Sequence, residues 1–210
     1  MQEKANKMDE DLLWKRMKAG DQGSFSIIFK VYYPKLFAYG IKLIPFPDLV
    51  RDLIQDLFIH IWQNRDGLGD VFNLKAYLFV SLRRKIFASK KSEPPTKKID
   101  DFSEEDYQTL VFKPTEFIDK EYISANVKEQ LIKNLNSLPG NQREIIFLRF
   151  YHQLTYREIA DVFNIREQSV KNIMPKILQK LSAGITTVTK EDIHDMDIML
   201  FNFFLLFQKK

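Results

Sequence analysis

One stretch leaves this chain few folds to choose from. Leu138 to Leu181 reads LPGNQREIIFLRFYHQLTYREIADVFNIREQSVKNIMPKILQKL, and it parses as a short helix, a turn, a second short helix, a tight link and a basic third helix. Pro139 suits a first helical turn, where a missing N–H costs nothing, and Gln142, Ile145, Ile146, Leu148 and Arg149 follow at helical spacing until the helix stops near Tyr151 to Gln153. Thr155 then caps the next helix, with Glu158 placed three residues on to bond back to the Thr155 N–H. Ile159, Ala160 and Phe163 form its apolar side, Asn164 is the natural left-handed turn residue, and Ile165 plugs the space between helices. Val170, Met174, Ile177 and Leu181 recur at steps of four, three and four along the third helix.

The opposite side of that third helix carries Gln168, Lys171, Asn172, Lys176, Gln179 and Lys180. Amides reach base edges and cations reach phosphates, so the pattern fits a helix lying in a major groove. A generic amphipathic three-helix unit without DNA contact shows the same apolar stripe and is the alternative. Two residues disturb the pattern. Arg166 stands where Ser, Thr, Asp or Asn is the usual cap, so the helix starts at Glu167 or leaves its cap to water. Pro175 lies inside the helix, removes the bond to the Lys171 carbonyl and is expected to bend the rod.

The remaining sequence is also helical in pattern. At 210 residues the chain exceeds the usual single-domain size of about 100–150 residues, which allows two small helical domains. It has no cysteine, which excludes disulfides and thiol chemistry, and His60, His152 and His194 are scattered in a way that suggests no zinc cluster. The polar first residues have no signal-peptide core, so a cytoplasmic protein is expected. The first half reads as four helices: Asp11 to Ala19; Gln22 to Lys42; one from beyond Pro45 and Pro47 to Arg65; and one capped by Asn73 and running through Lys90. The third carries a wide core face of Leu49, Leu53, Leu57 and Ile61 with Ile54, Phe58 and Trp62 beside it, and an outer face of Asp52, Gln55, Asp56, His60 and Gln63. The fourth buries Leu74, Leu78, Leu82 and Ile86. Phe79, Arg83, Arg84 and Phe87 lie largely off that line, so the rings either widen the core or stack on single-stranded bases beside the cations. Tyr77 fits core or surface. Ser92 to Pro114, with Pro94, Pro95 and the acidic cluster Asp100, Asp101, Glu104, Glu105 and Asp106, reads as a linker, and a helix over Glu116 to Leu135 feeds the final unit.

These residues resemble those of an extracytoplasmic-function (ECF) sigma factor of the sigma-70 family, the two-domain promoter-specificity subunit of bacterial RNA polymerase. The segments similar to its first domain are Tyr32-Tyr33-Pro34-Lys35-Leu36, Asp52 to Trp62, and Asn73 to Phe79 with Arg83 to Ile86. Leu138 to Glu144, Leu148 to Phe150, Leu154 to Ala160 and Ser169 to Asn172 are similar to its −35-binding domain. The resemblance implies an all-α chain of two helical domains on a flexible linker: 1–91 like sigma-70 region 2, 92–114 the linker, 115–182 like the region 4 helix-turn-helix, and 183–210 an extension.

The resemblance also implies partners and sites. Asp52, Gln55 and Asp56, with Trp62 nearby, would dock on the β′ clamp of core RNA polymerase, whose β subunit is a further partner. Phe72, Asn73, Tyr77, Phe79, Arg83, Arg84 and Phe87 would meet the −10 region, where a non-template base is flipped and held beside the loop Gly67 to Phe72. Arg166, Gln168, Lys171 and Asn172 would chiefly read the −35 element, Arg149, Arg157 and Lys176 would hold its phosphates, and Thr155 and Ser169 would join them in binding it. No catalytic residue, metal or cofactor is implied, and the family commonly has an anti-sigma factor that masks both domains. Arg166-Glu167-Gln168 and Ile173 to Lys176 depart from the family pattern and imply altered −35 contacts. A helix-turn-helix regulator acting without core polymerase, or a helical protein-interaction module, would share the scaffold.

The apolar run Ile198 to Phe207 is too short for a membrane crossing of about 20 residues. It has three readings: packing on either domain, with autoinhibition if it covers a DNA-binding face; association with a partner or another copy; and lipid contact, which Glu191, Asp192, Asp195 and Asp197 disfavour.

Overall fold

The computed structural model describes residues 2–71, 73–90, 110–113 and 125–182. Expectations that fall on Phe72, on the rest of 91–124 and on the 183–210 extension lie outside the described residues. The described residues hold helices and no strand, and they divide into two compact units, the first built on the helices up to Lys90 and the second on those from Ala125 onward.

In the first unit α1 spans Gln2–Lys18, α2 Gln22–Leu43, α3 Pro47–Gln63 and α4 Leu74–Lys90. Helix α1 starts nine residues before the expected Asp11, because Gln, Glu, Lys and Ala favour a helix without leaving an apolar period to read. It ends on Gly20, whose φ of 90° suits the left-handed close, with the Gly20 and Asp21 N–H groups bonded to the Met17 and Arg16 carbonyls. Asp21 then caps α2 by accepting from the N–H groups of Gly23 and Ser24 and from the Ser24 hydroxyl. The Ser24 hydroxyl and the Gly23 N–H hold the Asp21 carboxyl below its ordinary range.

The core is assembled from Trp14 and Met17 of α1, Ile28, Tyr32, Leu36, Tyr39 and Leu43 of α2, and single lines on α3 and α4. On α3 that line is Val50, Ile54, Leu57, Phe58 and Ile61, while Leu49 is exposed and Leu53 half-buried. The expected strip through Leu49 and Leu53 is thus rotated, because α2 approaches from the Phe58 side. The aromatics Phe25, Phe29, Tyr33 and Phe37, four residues apart, fill the α2–α3 seam half-buried; Phe25 meets Phe58 and Trp62, and Phe29 meets Phe58 at 4.9 Å. Farther along, a Cβ on Gly40 would stand 2.6 Å from Val50 Cγ1, so the two helices cross where only a glycine fits.

The second unit comprises α5 (Ala125–Asn136), α6 (Gly140–Ile146) with a widened π turn over Phe147–Tyr151, α7 (Tyr156–Phe163) and α8 (Glu167–Ser182). Leu131, Ile132 and Leu135 bury one side of α5, which packs on α8, and Asn134 donates to the Leu181 carbonyl at 3.0 Å. Four residues assigned by sequence to the linker belong to this packing. Leu110 and Phe112 are buried, the Phe112 ring lies edge-on to Phe147, and the Asn136 amide bonds the Phe112 backbone twice, accepting its N–H at 2.8 Å and donating to its carbonyl at 2.9 Å. One side chain thereby supplies the donor and acceptor that a neighbouring strand would supply.

Gly40→Ala should destabilise the first unit by about 1–3 kcal/mol through overpacking, and Val50→Ala in the same chain should recover part of the loss, as read by urea unfolding. Asn136→Ala should cost about 1–3 kcal/mol by leaving the Phe112 backbone groups unpaired, and hydrogen exchange should rise at the Phe112 amide.

Candidate nucleic-acid interface

The turn between α6 and α7 places the candidate DNA-binding residues of the second unit. Thr155 and Glu158 form the expected reciprocal cap: the Thr155 N–H donates to Glu158 Oε2 at 2.6 Å, and the Glu158 N–H donates to Thr155 Oγ1 at 3.2 Å. Gln153 and Asn164 both have φ of 54°, and the latter is the left-handed residue expected between α7 and α8. Arg149, expected at a phosphate, also takes part in this turn. Its guanidinium donates to the Leu154 carbonyl at 3.1 Å and lies 4.9 Å from the Tyr156 ring centre, so it braces the turn.

Helix α8 starts at Glu167, with the Ser169 N–H bonded to the Arg166 carbonyl. Val170, Met174, Ile177 and Leu181 are all buried, as the spacing predicts, and Ile165 is half-buried. Pro175 is exposed and does not end the helix, which continues to Ser182. Because successive residues turn by about 100°, Gln168, Lys171, Asn172 and Gln179 share the side facing away from the core. Gln168, Ser169, Lys171, Asn172 and Lys176 are exposed there, with Arg166 ahead of the helix and Arg157 exposed on α7. Some of these side chains pair with one another: Lys171 with Glu167 at 2.7 Å, and Gln168 with Asn172 at 2.9 Å. Solvent-facing pairs of this kind contribute about 1 kcal/mol or less, so a base edge or phosphate can replace either partner.

In the first unit burial separates the expected −10 residues. Asn73 accepts the Ala76 N–H through its side chain at 2.8 Å and so serves as the α4 cap. Phe79 is fully buried, with its ring 5.1 Å from that of Tyr39, and it has no face to offer a base. That corrects its place among the DNA contacts: it belongs to the core, the other reading of its position. Within α4 the Arg83 guanidinium lies 4.6 Å from the Phe87 ring centre. Arg84 is exposed, and Tyr77 is half-buried with burial and a Ser81 hydrogen bond acting on its hydroxyl, burial the stronger and raising its pKa.

On α3, Asp52, Gln55 and Asp56 are exposed on one side, together with Ile59 and Gln63. Trp62 sits at the edge of this face, half-buried between Phe25 and the Arg65 guanidinium, which lies 4.8 Å from its ring centre and donates to its carbonyl. Among the described residues there is no cluster of His, Asp or Glu able to hold a metal, and no helix long and apolar enough to cross a membrane.

Residues 135–183, which contain the whole turn and α8, match the family model for Sigma-70, region 4. The chain is similar to the ECF RNA polymerase sigma-E factor of Escherichia coli K12, 22% identical over 80% of this chain and 90% of that protein. It is also similar to the ECF RNA polymerase sigma factor SigM of Bacillus subtilis, 24% identical over 74% of this chain and 91% of that one. Its fold resembles that of CnrH, solved in complex with the cytosolic domain of CnrY, at a TM-score of 0.55 and 19% identity, covering 86% of this chain and 99% of CnrH. The sigma factor RpoE from Bartonella quintana, solved with the anti-sigma factor NepR, is similar at a TM-score of 0.50 and 24% identity, covering 78% of this chain and 97% of RpoE.

Thr155→Ala removes one half of the α7 cap and should destabilise the second unit by about 1 kcal/mol in urea unfolding, whereas Thr155→Ser should cost less than half of that.

Proposed function

We propose, for a chain that belongs to the ECF group of the sigma-70 family, that it joins core RNA polymerase in the cytoplasm and directs it to promoters with −10 and −35 elements. The observation that carries this reading is the coincidence of the matched region 4 residues with a helix whose buried side is wholly apolar and whose outer side is wholly polar or cationic apart from Pro175. Such a helix meets two requirements of a duplex reader at once: a rigid seat and an exposed row of donors and acceptors.

The work divides between the units. Helix α8 enters the major groove of the −35 element, with Gln168, Lys171 and Asn172 nearest the bases and Arg157 and Lys176 toward phosphates. Arg149 and Thr155 act on this surface chiefly by holding the turn that presents it. The first unit meets the melted −10 strand with Tyr77, Arg84 and the loop before α4, and it docks on the β′ clamp through Asp52, Gln55 and Asp56. Three exposed acids and amides on one helix face form a surface that a basic or amide-rich partner helix complements. The chain makes and breaks no bond itself, since nucleotide addition belongs to the polymerase. Because the CnrH and RpoE structures were solved as complexes with CnrY and the anti-sigma factor NepR, an anti-sigma factor is the proposed regulator here too.

Reconstituted transcription with purified core polymerase tests this function. Asp56→Ala should weaken core binding about tenfold, and Lys171→Ala should weaken −35-dependent initiation about tenfold while leaving core binding intact. Sequence-specific duplex binding with no effect of core polymerase would point instead to a free-standing regulator and overturn the proposal.

A further inference from the structure

Between α3 and α4 the chain passes through residues 68–71 without regular secondary structure. A Cβ on Gly67 or Gly69 would meet open space, so neither glycine is pinned by a neighbour and the loop takes its position from contacts made to its other atoms. Two of these come from α1. The Trp14 indole N–H points to the Gly69 carbonyl at 3.4 Å, and the Lys18 ammonium lies 3.3 Å from the Asp70 carboxylate. Trp14 and Lys18 are one helical turn apart and so stand one above the other on the same face, where they receive two successive loop residues.

The two contacts differ in kind. Trp14 is only 3% exposed and cannot swing away, whereas the Asp70 side chain is 85% exposed and its ion pair is a surface tether that salt can screen. Trp14 also meets the Tyr77 ring at 5.5 Å with the planes 62° apart, so the same indole borders both the loop and the first turns of α4. Helix α1 is itself fixed to α2 through the Tyr32 hydroxyl, which donates to Glu10 at 2.6 Å. The loop therefore rests on a wall that is anchored from behind.

We infer that α1 is the mould for the base-holding loop of the −10 interface, with Trp14 and Lys18 as positioning residues that touch no DNA. This rests on the −10 role proposed for the first unit. An extruded base needs a pocket already shaped to receive it, because ordering a loop at the moment of binding lowers the net affinity. Trp14 supplies that order in advance by fixing the Gly69 carbonyl and the neighbouring Tyr77 ring, and Lys18 sets the direction of Asp70.

The test uses the full chain bound to core polymerase and selects −10 sequences from a single-stranded library with randomised bases. Trp14→Phe keeps the ring and removes the donor; it should flatten the base preference about tenfold at one or two adjacent positions and leave the others sharp. Lys18→Met and Asp70→Asn should flatten the same positions less, and more weakly still at high salt. Core affinity and −35 duplex binding should stay at wild-type values in all three. Retention of the full preference by Trp14→Phe and Asp70→Asn, or an equal loss at every position, would overturn the inference. If Trp14→Phe fails to fold by thermal melting, the exchange Lys18→Asp with Asp70→Lys decides: recovery of a preference that each single change loses supports the mould, and full preference in both singles overturns it. If the wild-type complex selects no −10 sequence at all, the proposed function falls first and the inference with it, a result distinct from normal selection by every variant.

Discussion

The reciprocal bonds between Thr155 and Glu158 fix where α7 begins, and much of the second unit depends on that position. A start shifted by one residue would rotate α7 by about 100°, turning Ile159 and Ala160 out of the core and carrying the left-handed Asn164 away from the link to α8. The buried quartet of α8 would then have no matching seat. Arg149 reinforces the same point from the preceding turn by holding the Leu154 carbonyl and lying against Tyr156. A residue expected at a phosphate thus also keeps the presenting turn in shape.

Much of the second unit was legible because its signals are local. The Thr155 cap, the turn at Asn164 and the Val170, Met174, Ile177 and Leu181 spacing each depend on residues within a few positions of one another. The clasp on residues 110–113 was not legible, since it joins Phe112 to Asn136 across 24 positions and its only sequence sign is the apolar run Leu110, Val111 and Phe112 after the acidic cluster. The π turn over Phe147–Tyr151 was hidden for a related reason: ordinary helical periodicity carries no mark of one widened turn.

In the first unit the difficulty was direction. Aromatic and cationic residues on α4 fit either a core or a nucleic-acid surface, and only the position of α2 separates them, by placing Tyr39 against Phe79. The α3 face is legible on its polar side yet rotated on its apolar side, because Leu and Val are interchangeable in a hydrophobic pattern while only Val50 sits under Gly40. Trp14 carries no functional mark in the sequence, because its partner is a main-chain carbonyl 55 residues away.

The Asn136 clasp has a mechanical consequence. Tension arriving along the chain from upstream meets Leu110 and Phe112 first, and the Asn136 amide carries it to the C-terminal end of α5. The Asn136 side chain divides that load between an acceptor and a donor. A pull from upstream therefore enters the second unit at the end of α5.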